Sequence, residues 1–183
     1  TPSILYICGG NSLNNSYVQE LIQWRKKQGY KVTVATTSSS DNDGLNNDSE
    51  SAIDNYISNQ YNSTNPPEIV GLIGDVNGSY DISCDFYQWG SGWSSYYGAS
   101  DVKYTYIQGN DLLPEIVIGR ISAESSGDLA NIINKTLQYE KGTLQSNSWY
   151  ERAALIGDPT VGSGISPAIT CQQIKELMLH HGV

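Results

Sequence analysis

Three carboxylates occupy positions from which they could bind a divalent cation. Asp75 comes just after the apolar run Ile69–Ile73, and Asp111 and Glu115 flank a proline-bearing turn that enters a second apolar run. Carboxylate oxygens are hard ligands that suit calcium, and a bound cation would relieve the repulsion between them. Solvated loop acids account for the same residues without a metal, so both interpretations stay open on the residues alone.

A second acidic segment, Ser39–Glu50, has part of the spacing of an EF-hand loop. Its matching residues at the third, fifth, sixth, ninth and twelfth places are Asp41, Asp43, Gly44, Asn47 and Glu50. The first place holds Ser39 where an EF-hand has a carboxylate, and the segment follows a predicted strand, so helices do not frame it on both sides. A plain polar loop is therefore the favoured interpretation.

The cysteines and histidines do not predict a catalytic pair within this chain. A thiol nucleophile needs an imidazole nearby to accept its proton. Cys8 ends the first predicted strand, whereas the two histidines, His180 and His181, lie at the far end of the last predicted helix. We expect Cys8 to be a buried structural thiol, and we predict no catalytic or cofactor-binding residue.

Charge and hydropathy exclude two classes of partner. The formal net charge is −9, with only 10 Lys and Arg residues, which opposes binding to a phosphate backbone. No uninterrupted apolar stretch approaches the roughly 18 residues of a membrane-spanning helix. The abundance of Asn, Ser, Gly and Tyr resembles exported bacterial proteins, and we expect a secreted or cell-surface protein.

Short apolar runs alternate with amphipathic segments along the chain. The predicted strands are Ser3–Cys8, Lys31–Ala35, Ile69–Ile73, Ile116–Ile118 and Ala153–Ile156, and the predicted helices begin near Ser16, Asp48, Ser125 and Ser166. This alternation predicts an α/β fold with a mostly parallel sheet and helices on both faces. Function in such folds gathers at the carboxyl ends of the strands. Gly9-Gly10, at one such end, lacks a phosphate-loop pattern, so a simple turn is expected there.

One long segment has no apolar period but is rich in aromatic side chains. Between Gly74 and Asp101 it concentrates Phe86, Tyr87, Trp89, Trp93, Tyr96 and Tyr97. We expect an ordered surface loop. Its aromatic part, 86–97, could bind a sugar or a partner protein, or could pack onto its own domain, and both interpretations stay open. The corresponding alternative function is a non-enzymatic extracellular binding module.

The order of several short blocks resembles the gingipain family of cysteine peptidases. The blocks are Gly71-Leu72-Ile73-Gly74-Asp75, then Ser100-Asp101, then Gly109-Asn110-Asp111, then Pro114 to Ser122 with Gly119-Arg120 inside it. The resemblance implies a caspase-like, Rossmann-like three-layer sandwich made of two side-by-side subdomains. Residues 1–148 would form the first subdomain, and residues 149–183 the opening strand and helix of a truncated second one.

The resemblance also implies particular site residues. It implies a structural calcium that is bound by the side chains of Asp75, Asp111 and Glu115 and by the main-chain carbonyls of Gln108 and Leu113. It places the catalytic Cys and His beyond Val183, so that this chain alone would be inactive and would need the remaining C-terminal part of the catalytic unit as a partner. Asp158 lies near the family's His-orienting acid, although a turn-capping role before Pro159 explains it equally well. The implied substrates are proteins or peptides.

Overall fold

The chain forms two compact units, Thr1–Lys141 and Gly142–Val183. The computed structural model describes residues 1–38, 45–89, 96–109, 111–144, 146, 152–160 and 165–182. The predicted boundary between residues 148 and 149 lies outside the described residues.

The first unit contains a parallel sheet flanked by helices. Its strands are β1 (Ser3–Cys8), β2 (Lys31–Thr36), β3 (Ile69–Ile73), β4 (Asp85–Trp89), β5 (Tyr96–Ser100) and β6 (Val117–Ile121). Its helices are α1 (Ser16–Lys27), α2 (Glu50–Tyr61) and α3 (Ser126–Glu140). Four of the strands form one sheet in the order β2-β1-β3-β6, and every neighbouring pair in it is parallel. The predicted α/β class is confirmed.

Alternating side chains of β1 enter two separate cores, one on each face of the sheet. Tyr6 and Cys8 pack with residues of α1 and α3. Leu5 and Ile7 point the other way and pack with residues of α2. The side chains on both faces of β1 are almost completely buried. The sequence of this strand is therefore one apolar run in which apolar and polar residues do not alternate.

The helices begin at side-chain caps that the sequence largely predicts. Ser125 and Asp128 form a reciprocal capping box at the predicted start of α3. Helix α1 begins at Ser16, in agreement with the predicted start, and its cap is Asn15, whose side chain accepts a hydrogen bond from the Tyr17 N–H.

The aromatic segment differs from the predicted surface loop. Strands β4 and β5 pair antiparallel and form a separate two-stranded ribbon. Phe86 and Tyr97 lie on one face of it and are 61% and 69% exposed. Aromatic residues favour extended backbone, but Phe86-Tyr87 and Tyr96-Tyr97 are consecutive in the sequence, so these strands show no alternation of apolar and polar residues.

The second unit contains one helix, α4 (Pro167–His180), among its described residues. The predicted strand Ala153–Ile156 does not form, and Ile156 is 93% exposed. A strand requires a neighbour for its hydrogen bonds, and no such neighbour is found in the described part of this unit. Helix α4 likewise has no buried residue. Along the described residues of both units, no helix has the length and hydropathy needed to cross a membrane.

Candidate functional site

The carboxyl edge of the sheet is covered by the loop that follows β3. The Tyr80 carbonyl oxygen lies only 2.2 Å and 2.1 Å from where a Cβ would stand on Gly9 and Gly74. The Ser79 carbonyl oxygen lies 2.5 Å from the corresponding position on Gly10. These glycines therefore let the loop backbone approach the strand ends more closely than any side chain would permit.

The backbone amides at this edge are already engaged. The Gly9 N–H donates to the Ile73 carbonyl at 2.9 Å. The Gly10 N–H donates to the Thr37 hydroxyl at 2.8 Å. An incoming anion would have to displace these bonds as well as the covering loop. The protein's own chain thus fills the crevice in which parallel α/β sheets commonly bind ligands.

Arg120 holds the same loop in place with hydrogen bonds from all five of its N–H donors. Its Nε and Nη2 donate to the two carboxylate oxygens of Asp101 at 2.9 and 2.7 Å. Its other bonds go to the carbonyls of Gly74, Ile82 and Ser83 at 3.2, 2.9 and 3.2 Å. The side chain is only 11% exposed. A planar, permanently charged fork suits this set of acceptors, which a lysine could not satisfy.

Two aspartates at this edge have opposite electrostatic environments. The Ser122 hydroxyl donates to Asp75 Oδ2 at 2.6 Å, and the Val76 N–H donates to Asp75 Oδ1 at 2.7 Å. These bonds lower the pKa of Asp75. Burial raises the pKa of Asp81, with further contributions from Asp48 and Asp75. The Oδ1 atom of Asp81 is buried and has no hydrogen-bond partner among the described residues.

The predicted calcium residues fall into two separate places. Glu115 Oε2 accepts hydrogen bonds from the N–H groups of Ile107 and Gln108 at 2.7 and 3.2 Å. Asp111 Oδ1 accepts from the Leu113 N–H at 3.0 Å. These bonds organise the loop that precedes β6, and that loop contains Gln108, Asp111, Leu113 and Glu115.

The fifth predicted residue, Asp75, lies at the other end of the sheet. The register pairs Ile69 with Val117 and Ile73 with Ile121. Glu115 therefore precedes the amino end of its strand, while Asp75 follows the carboxyl end of the neighbouring one. The length of β3, about 13 Å, separates these two ends. Within the described ranges, no three His, Cys, Asp or Glu side chains are close enough to share a metal ion.

The EF-hand-like segment is engaged in other interactions where it is described. Residues 39–44 lie outside the described part of the chain. The Asn47 side chain accepts from the Ser49 N–H at 2.8 Å, which makes it a local turn former. Glu50, at the position of the bidentate EF-hand glutamate, forms an ion pair with Lys103. These contacts support the polar-loop interpretation.

The described thiols have no imidazole beside them within their own unit. Cys8 and Cys84 are buried, and burial raises the pKa of the Cys84 thiol. The first unit contains no histidine at all, because the two in the sequence are His180 and His181. In the second unit, Cys171 and His180 lie nine residues apart on α4, or about 13.5 Å along the helix axis. No thiol–imidazole pair is therefore present in the described residues of either unit.

Asp158 forms a local turn in the second unit. Its Oδ1 accepts a hydrogen bond from the Thr160 N–H at 2.7 Å, and this bond lowers the pKa of the carboxyl. The Asp158 carbonyl accepts from the Ala168 N–H at 3.3 Å. The turn-capping alternative from the sequence thus describes its contacts.

Comparisons with known proteins agree along nearly the whole chain. A family description, "Peptidase family C25", matches residues 1–180. Lys-gingipain of Porphyromonas gingivalis is 27% identical over 179 residues, which is 96% of this chain. A solved structure named "Structure of Protease" is 26% identical over 86% of this chain, with a TM-score of 0.67. The complex of the Porphyromonas gingivalis RgpB pro- and mature domains shares the fold, at 23% identity, 97% coverage and a TM-score of 0.67.

This chain is much shorter than the proteins it matches. It spans 9% of Lys-gingipain, and 32% and 40% of the two solved chains. The match over residues 1–180 nevertheless includes every sheet strand and every helix described above. The chain therefore belongs to peptidase family C25, the gingipain family of cysteine peptidases.

Proposed function

We propose that this chain is the supporting α/β part of a secreted cysteine endopeptidase, and that chain outside residues 1–183 supplies the nucleophilic thiol and its imidazole. The observation that carries the proposal is the family match over residues 1–180 of a chain whose described thiols have no imidazole beside them within their own unit. Thiol peptidases need a thiolate, a proton acceptor and oxyanion donors together. In this proposal, residues 1–183 contribute the parallel sheet that supports the catalytic residues.

Exposed apolar surface in the second unit supports a need for further chain. On α4, Ile169, Leu177 and Leu179 are 51%, 59% and 65% exposed. The neighbouring segment adds Ile156, which is 93% exposed. A helix of this kind gains most of its stability by burying its apolar side chains. The proposed occupant is the remaining C-terminal part of the catalytic unit, whose strands would also pair with Ala153–Ile156.

The proposal is tested first by activity. The purified chain should hydrolyse neither protein nor Lys- or Arg-containing peptide substrates above the buffer rate, with reductant present. A thiol-directed peptide inhibitor should label it no faster than it labels the unfolded chain. Turnover that disappears in Cys84→Ala or Cys171→Ala would place the nucleophile inside this chain and refute the proposal.

A second test concerns the apolar surface. The isolated chain should self-associate, because its unpaired strand segment and helix α4 expose apolar side chains. Replacing Leu177 and Leu179 together with Gln should reduce self-association in sedimentation, whereas the same change at exposed Leu112 and Leu113 of the first unit should not. A fully monomeric wild-type chain would argue against the docking of further chain here.

The alternative function is binding through the aromatic ribbon. Phe86, Gln88, Tyr97 and Ala99 share one face of β4 and β5, and all four are exposed. Such a face offers flat rings and an amide for stacking and hydrogen bonding. If the gene beyond residue 183 encodes no thiol–imidazole pair, this becomes the better explanation. If Phe86→Ala loses binding to a sugar or partner protein that the wild-type chain binds, and Val102→Ala keeps that binding, the binding function is supported.

Calcium binding is proposed for the loop that contains Gln108, Asp111, Leu113 and Glu115. Two carboxylates and two main-chain carbonyls within one loop are ligands that calcium accepts. Millimolar calcium should raise the melting temperature of the chain relative to chelator, because a ligand of the folded state alone stabilises it. Glu115→Gln should abolish that rise, while Asp75→Asn should keep it. An unchanged wild-type melting temperature would count against the site.

A further inference from the structure

The loop between β3 and β4 carries the sequence's single Asn–Gly step at its tip. Asn77 and Gly78 are both exposed. The ends of the loop are tied, because Asp75 and Asp81 form a parallel bridge and the Ile82 N–H donates to the Asp75 carbonyl at 2.8 Å. The pair is therefore presented to solvent while the backbone on either side is held.

Both reactive groups of this pair are free among the described residues. The adjoining Val76 and Ser79 N–H groups are bonded, to Asp75 and Glu124, but the Gly78 N–H and the Asn77 amide make no hydrogen bond there. Gly78 has a φ of +89°, a conformation that glycine adopts without steric cost. It also has no Cβ to crowd its nitrogen as a nucleophile.

We propose that Asn77–Gly78 is a site of spontaneous deamidation. The Gly78 nitrogen gives its proton to hydroxide and attacks the Asn77 side-chain carbonyl carbon. The amide nitrogen then takes a proton from water, which regenerates hydroxide, its bond to that carbon breaks, and ammonia leaves. A cyclic succinimide now links the two residues. Water then opens either carbonyl of the ring and leaves aspartate or isoaspartate, with no oxidant or reductant required.

The position of the loop gives the modification a structural consequence. A Cβ on Gly78 would lie 2.9 Å from the Cβ of Glu124, so the backbone that follows Asn77 has little room to shift on that side. Isoaspartate also adds one methylene to a backbone whose Ser79 and Tyr80 carbonyls rest directly on glycines. Interiors packed this closely do not absorb extra atoms without movement. The reaction therefore loosens the cover over the carboxyl edge of the sheet.

Peptide mapping by mass spectrometry tests the site directly. Purified chain is held at mildly alkaline pH, and isoaspartate is counted by isoaspartyl methyltransferase labelling. Asn77 should convert ahead of every other asparagine, at a rate within about tenfold of the urea-unfolded chain, since the tip needs no global opening. Asn77→Gln should remove the signal, whereas Asn62→Gln, at an exposed Asn–Ser step, should not.

Protection of Asn77 by more than about a hundredfold in the folded chain would overturn the proposal. A second comparison isolates the backbone effect, because Asn77→Asp has the added charge without the added methylene. The isoaspartate fraction should melt below Asn77→Asp, and equal melting temperatures would refute the loosening. Neither result depends on whether the chain is part of a peptidase.

Discussion

Replacing Arg120 should be among the most destabilising single changes in the first unit. Arg120→Met would leave the Asp101 carboxylate, only 20% exposed, without its partner. It would also leave the carbonyls of Gly74, Ile82 and Ser83 without this donor. Removing one member of a buried ion pair typically costs about 3–5 kcal/mol. Domains unfold with only about 5–15 kcal/mol, so the loss would be a large fraction of the total.

Arg120→Lys separates the charge of the side chain from its geometry. Lysine keeps the positive charge but has three donors on a single nitrogen, so it cannot bind both Asp101 oxygens and reach the carbonyls as well. We expect a loss of about 2 kcal/mol, the size of one or two hydrogen bonds to a charged group. Urea unfolding followed by tryptophan fluorescence measures both variants.

The matched control is Arg152→Lys, at an exposed arginine, which should change stability by less than about 0.5 kcal/mol. A double-mutant cycle with Asp101→Asn should give a coupling of more than about 1 kcal/mol. If Arg120→Lys has the same urea midpoint as the wild-type chain, the planar geometry of the Arg120 guanidinium does not contribute to stability, which would contradict this prediction.

Gly9→Ala should cost about 3 kcal/mol, because its Cβ would overlap the Tyr80 carbonyl at 2.2 Å, whereas Gly119→Ala, with nothing within 4 Å, should be neutral; equal urea midpoints would contradict this. The hydrogen bond from Arg25 lowers the pKa of Glu140 in the folded chain. The stability that this bond contributes is complete above the pKa of an unfolded glutamate and is lost as the pH falls through the lowered pKa of the folded state. Glu140→Gln should therefore flatten the acid limb of a pH–stability curve. Burial raises the pKa of Asp81, so the ionised carboxylate opposes folding at neutral pH; Asp81→Asn should raise the melting temperature there, and the gain should vanish below the pKa of an unfolded aspartate.

The separation of Asp75 from Glu115 was only partly predictable from the sequence. Asp75 follows a strand, whereas Glu115 precedes one, and neighbouring parallel strands carry such residues to opposite ends of a sheet. What the sequence does not state is that β3 and β6 are neighbours. That adjacency depends on contacts between residues almost fifty positions apart, which local patterns do not encode.

Sequence alone determined the parallel sheet, its helices and the family, because apolar runs and caps are local and the motif Gly119-Arg120 is compact. Only the tertiary structure revealed the covering loop, the five-bond clamp of Arg120 and the pairing of the aromatic ribbon. Each of these depends on distances between atoms of separate segments, and such distances exist only once the whole sheet has been assembled.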